Sequence, residues 1–131
     1  MFIAILGGTG SDRKNKAKEQ LQKMFPKTTF LFALIESVPT EDVLLGHAYQ
    51  SAGFFNDKQI VLVKDCAHEI FDTYCKKTLE TLAQSETPFI FLDEKLTKAT
   101  ETELKEYDAT VVTLVTKEKK STFNKNDVFA I

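Results

Sequence analysis

The sequence has no tryptophan and is sparing with the residues that cross-link or punctuate a chain: two cysteines, three prolines and five glycines. Cys66 and Cys75 are too few for a disulfide framework, and their separation matches no zinc or redox spacing. Two reduced thiols in a cytoplasmic protein are therefore expected. No apolar run is long enough to span a membrane. The opening Met1-Phe2-Ile3-Ala4-Ile5-Leu6 is apolar, but it lacks a basic n-region and is too short for a signal peptide. Basic residues do not dominate either. A net charge of −2 supplies no global field for direct nucleic-acid binding. There is no internal repeat and no low-complexity segment. What the chain does have is apolar mass. Eleven phenylalanines and 43 % hydrophobic residues, in 131 residues, suffice for the core of one domain.

Strand-like and helix-like stretches alternate. Phe2 to Leu6 predicts a first strand, followed by the glycine-rich turn Gly7-Gly8-Thr9-Gly10-Ser11-Asp12. A helix from Asp12 to Met24 carries Ala17, Leu21, Met24 and Phe25 as one narrow stripe, and Pro26 stops it. Thr29 to Leu34 predicts a second strand. Thr40 is the expected N-cap of a second helix, with Val43, Leu44, His47 and Ala48 on one face. Ile60 to Val63 reads as a strand buried on both faces. A single long helix is expected over 67–84, where Ile70, Phe71, Tyr74, Cys75, Thr78, Leu79 and Leu82 recur at helical spacing. Cys75 would be a small packed hydrophobe in that stripe. Phe89 to Leu92 predicts a fourth strand. The capping-box pattern Thr100-Glu101-Thr102-Glu103 opens a short helix to Tyr107, and Val111 to Val115 predicts a fifth strand. This alternation implies an α/β fold: a five-stranded, mostly parallel sheet with helices on both faces.

Two stretches carry the functional argument. In the first, Gln50-Ser51-Ala52-Gly53-Phe54-Phe55 precedes a polar turn and the third strand. Adjacent side chains diverge, so two neighbouring rings beside a turn are hard to bury in one core. At least one ring is expected to face solvent as a binding feature. The second is the glycine turn, which stands where a phosphate cradle would. The pattern G-x-x-x-x-G-K-[ST] fails there, because Asp12 and Arg13 follow the glycines. The dinucleotide pattern G-x-G-x-x-G fits Gly8 and Gly10 but meets Arg13 at its third glycine, with Glu36 as the acid for a ribose hydroxyl. Asp65, Asp93 and Glu94 follow strands as loop acids. His47 and His68 have no ligand at metal spacing. No nucleophile, base and orienter assemble, so no catalytic residue, cofactor or metal is expected.

The chain resembles the N-terminal domain of the delta subunit of the bacterial DNA polymerase III clamp loader. The opening strand and the glycine turn, with an acidic residue in place of a phosphate-loop lysine, resemble that family's degenerate nucleotide fold. Gln50-Ser51-Ala52-Gly53-Phe54-Phe55 resembles its clamp-contacting stretch, with Phe54 where leucine is common. The run Phe55 to Asp65, with Gln59 where a basic residue is usual, resembles the following turn and strand. Phe89 to Leu96 is similar to the later strand, and Phe123-Asn124 to the opening of the family's helical domain, here followed by the more polar Asn126-Asp127.

The resemblance implies an AAA+-type nucleotide fold with sheet order 5-1-4-3-2 and a degenerate phosphate loop. It implies a cytoplasmic, non-enzymatic domain that binds the sliding clamp and helps open it during DNA replication. Gln50, Ser51, Gly53, Phe54 and Phe55 would make that contact. Nucleotide hydrolysis would belong to the other clamp-loader subunits, met through domains absent from this chain, and primer-template DNA would be an indirect partner. On this division, 1–116 is the clamp-binding domain. The segment 117–131 is a polar linker and the start of a helical domain, the chain being a fragment. The alternative is a small Rossmann-type domain of a reductase, holding a nicotinamide nucleotide through Gly8, Gly10 and Glu36.

Overall fold

Period-two alternation sorts the central strands into two faces. Phe2 and Ala4, Val61 and Val63, Phe89 and Phe91 share one core, while Ile3 and Ile5, Ile60 and Leu62, Ile90 and Leu92 share another. Strands apolar on both sides must be covered on both sides, which is the condition for a buried parallel sheet. The computed structural model describes residues 1–49 and 57–114. It contains β1 (Phe2–Leu6), α1 (Gly10–Met24), β2 (Thr29–Ile35), α2 (Glu41–Tyr49), β3 (Asp57–Lys64), α3 (Ala67–Thr73), α4 (Lys76–Gln84), β4 (Phe89–Asp93), α5 (Lys98–Glu106) and β5 (Thr110–Thr113). The five strands form one sheet in the order β2-β3-β4-β1-β5, and every pairing is parallel. This is the expected order 5-1-4-3-2 read from its other edge.

The two layers are unequal. Among the described helices α1 alone covers the isoleucine and leucine face, through Ala17 and Leu21. The opposite, phenylalanine-rich face receives Leu44 and Ala48 of α2, Ile70 and Phe71 of α3, Leu79 and Leu82 of α4 and Leu104 of α5. At its centre the Phe2 ring meets Phe71, Phe89, Phe91 and Tyr107 edge-on, at centroid distances of 5.3 to 6.3 Å. That is the favoured geometry for aromatic pairs.

Four expectations are corrected. The long helix over 67–84 is two helices, α3 and α4. Tyr74 and Cys75 between them are extended, with ψ of 147° and 164°. The Tyr74 hydroxyl donates to the Pro39 carbonyl, and Thr78 and Ser85 donate to Glu41 and to the Ala48 carbonyl, so the break lets α4 tie itself to α2. Apolar spacing stays in phase across the break, which is why periodicity hides it. Cys75 consequently leaves the core and is exposed, while Cys66 is buried. In α2, Val43 is exposed and Leu44 and Ala48 make the buried contact. Finally, α5 starts one turn early: Thr97, not Thr100, is its N-cap and accepts from the Thr100 amide. Thr100 is buried, its hydroxyl bonded to Thr97 and His68.

Candidate functional site

The carboxyl ends of β1, β3 and β4 bring together the glycine turn, Asp65 and Asp93. In a parallel sheet this edge, where loops leave the strands, is the place for ligands. Sheet hydrogen bonds continue into the loops there. Gly7 N–H is shared between the carbonyls of Asp93 and Glu94, and Asp65 N–H donates to Leu92. Gly7 and Gly8 have φ of 85° and 62°, conformations that suit glycine. A Cβ on Gly7 would come within 2.5 Å of the Leu114 carbonyl oxygen, so the turn is pressed against the chain leaving β5.

The chain fills this turn with its own groups. Thr9 and Asp12 form a reciprocal capping box: Asp12 N–H donates to Thr9 Oγ1, and Thr9 N–H donates to Asp12 Oδ2. A helix start that takes a carboxylate from its own first turn has satisfied part of the attraction it would offer a phosphate. Arg13 goes further. It is only 8 % exposed, and its guanidinium Nη1 donates to the carbonyls of Gly7 and Gly8, each at 3.0 Å. The residue that breaks the glycine pattern in the sequence is thus the internal tie of the turn. The signal was present in the sequence: a long donor side chain on the first helical turn, following glycines whose carbonyls would need partners.

Asp93 is the most perturbed acid of the group. Burial, and then the neighbouring Asp65 carboxylate, push it up to about 6, with Glu69 adding to the effect; the Ala67 amide and the Arg13 charge act in the other direction. Its Oδ2 is sealed from solvent and has no hydrogen-bond partner among the described residues. Asp65 adopts a positive φ of 58° as the chain turns out of β3. Burial also pushes the Cys66 thiol, which begins α3 beside these acids, up to about 11, so it is not a thiolate. Among the described residues no group of three His, Cys, Asp or Glu side chains is arranged to hold a metal ion.

The residues of the nicotinamide alternative are not brought together. Gly8 and Gly10 lie after β1, whereas Glu36 follows β2, with β3 and β4 between them. Three strand spacings separate the two ends, about 14 Å. Glu36 faces Lys64 instead, at 3.9 Å. The proposed clamp-contacting residues Gln50, Ser51, Gly53, Phe54 and Phe55 lie outside the described residues, as does the segment 117–131. Asp57 opens β3 at the sheet edge opposite the glycine turn. No helix among the described residues is long and apolar enough to cross a membrane. Comparison of the chain with protein-family models, curated proteins and solved structures returned no match.

Proposed function

We propose that this chain is a delta-like clamp-loader domain, an AAA+-type fold with a degenerate phosphate loop, which binds the sliding clamp and helps open it in DNA replication. The observation that carries the reading is the sheet itself: parallel, in the order β2-β3-β4-β1-β5, with the glycine turn after β1 closed by Asp12 and Arg13. A dinucleotide-binding sheet would set β1 beside β2. Here β1 lies between β4 and β5, which favours the clamp-loader reading over the reductase one.

In this proposal the domain is cytoplasmic and does no chemistry. Partner subunits hydrolyse nucleotide, and primer-template DNA is met only through the assembly. Gln50, Ser51, Gly53, Phe54 and Phe55 make the clamp contact. Burying two phenylalanine rings is worth roughly 3–6 kcal/mol, while association costs on the order of several kcal/mol in lost freedom. The rings therefore need a polar anchor, the role assigned to Gln50, and a small hot spot is the expected anatomy.

The test is titration calorimetry of the chain against a bacterial sliding clamp, repeated with Phe54→Ala/Phe55→Ala. Wild type should bind. The double variant should lose binding while its melting temperature stays near the wild-type value, since truncation of core phenylalanines would cost roughly 3–5 kcal/mol each. Absence of wild-type binding, or wild-type affinity in the double variant, refutes the reading.

A further inference from the structure

One helix cannot cover five strands. α1 is about 10 Å wide, and strands repeat every ~4.8 Å. It packs on β1 and β4, near the middle of the sheet. On its face no other described element covers the β2 end. Phe32 and Leu34 there are 44 % and 51 % exposed, and Leu31 on the opposite face of β2 is 50 % exposed. Phe32, Leu34 and Leu62 form the floor of a groove of about 260 Å³, walled by Ala17, Lys14 and Lys18 of α1.

Among the described residues β2 is also an edge strand, paired only with β3, so the backbone groups along its outer side have no sheet partner there. Sheet edges are usually protected by charge, proline or a bulge. From Thr29 to Ile35 this strand has neither charge nor proline, and its pairing with β3 runs unbroken over all seven residues. The charge stands beside it instead. Lys14 and Lys18 lie one turn apart on α1 and overhang the groove. Among the described residues neither is ion-paired; the lysines that are paired are Lys16, Lys64 and Lys105. The nearby acid after β2, Glu36, faces Lys64.

We infer that the β2 edge binds an extended segment of another protein, which adds a strand beside β2 and carries carboxylates in alternation with apolar side chains. Main-chain bonds along β2 would give affinity; on the α1 face acidic side chains would meet Lys14 and Lys18, their aliphatic stems lying over Phe32 and Leu34, and on the opposite face apolar side chains would cover Leu31. A second copy of this chain fits less well. Antiparallel pairing of β2 with its own copy places both α1 helices on one face of the continuous sheet. Lys14 and Lys18 would then confront the same lysines of the copy, and like charges oppose that association. The inference does not depend on the clamp contact, which involves a different segment.

The probe is a fluorescein-labelled seven-residue peptide alternating glutamate and valine, read by fluorescence anisotropy against the full chain. Controls are the same peptide with lysine for glutamate, and two versions N-methylated on alternate residues. The glutamate peptide should bind at least tenfold more tightly than the lysine peptide. Lys14→Glu/Lys18→Glu, at exposed helix positions, should reverse that preference. One N-methylated version should lose binding and the other retain it, because alternate amides of a strand point to opposite sides. Equal binding of the two charge types, or insensitivity to both methylations, overturns the inference. So does a dimer in sedimentation equilibrium that persists in Lys14→Glu/Lys18→Glu and excludes the peptide, since that assigns the edge to a second copy.

Discussion

Asp93→Asn should make the protein more stable above neutral pH, and the gain should vanish in acid. Folding raises Asp93 from an ordinary carboxylate value of 3.8 to about 6, first by burial and next by the charge of Asp65. The native state therefore holds this proton more tightly than the unfolded chain. Ionised Asp93 opposes folding above its native value, and the penalty is relieved as pH falls from about 6 towards about 4. The full difference corresponds to about 3 kcal/mol. Asp93 is only partly buried, and solvent screening of its interactions lowers the expected effect to roughly 1–2 kcal/mol. Asparagine keeps an oxygen for the Ala67 amide and removes the charge that faces Asp65 and Glu69. For a chain of this length that predicts a melting temperature higher by roughly 3–8 °C near pH 8. Thermal denaturation of both proteins across pH 4 to 8, followed by circular dichroism, measures the difference directly. Comparison with wild type cancels the contribution of every other titrating group. A variant that is less stable near pH 8, or a difference that does not shrink towards about pH 4, would refute the reasoning.

The glycine turn supplies the remaining predictions. Arg13→Met keeps much of the buried volume but leaves the Gly7 and Gly8 carbonyls without their donor; a loss of about 2–3 kcal/mol is expected in urea denaturation, and an unchanged midpoint would show the tie to be idle. Gly7→Ala should cost more than about 2 kcal/mol, because strain at positive φ adds to a 2.5 Å approach to the Leu114 oxygen; its denaturation midpoint should lie well below that of Gly10→Ala, where a Cβ meets nothing within 4 Å. ATP or NADP at millimolar concentration should leave the melting temperature unchanged, since a ligand at 100 times its dissociation constant would add about 2.7 kcal/mol.

The sequence showed its architecture where burial is simplest. β1, β3 and β4 are apolar on both faces, and their unbroken runs place them at the centre of a parallel sheet. The order of the sheet came from resemblance, since apolar runs do not say which strands are neighbours. An apolar run alone does not locate a strand: the Phe-Leu-Phe-Ala-Leu-Ile run of β2 is as apolar as a central strand, yet β2 lies at the sheet edge, where the resemblance put it. Composition reports how apolar a strand is, not whether anything covers it. The break at Tyr74-Cys75 is set by bonds to Pro39, Glu41 and Ala48, more than 25 residues away in sequence, and no local pattern contains them. Arg13 was visible as a departure from a motif, but its place beneath the glycine carbonyls depends on the path of the turn.

The unequal layering also decides what light can report about this molecule. There is no tryptophan, and the two tyrosines whose side chains are described belong to the many-helix side: Tyr74 between α3 and α4, and Tyr107 at the end of α5 against Phe2 and Phe71. On the other side the rings packed beside α1 are Phe25 and Phe30, which contribute almost nothing at tyrosine wavelengths. The fluorescence and near-ultraviolet dichroism of Tyr74 and Tyr107 therefore watch one layer only. A peptide docking against β2 and α1, or a local loosening of that helix, would pass almost unseen in both signals. A tryptophan at Phe25, where the ring already lies under the Lys58 ammonium at 4.5 Å, would give the silent layer its own reporter.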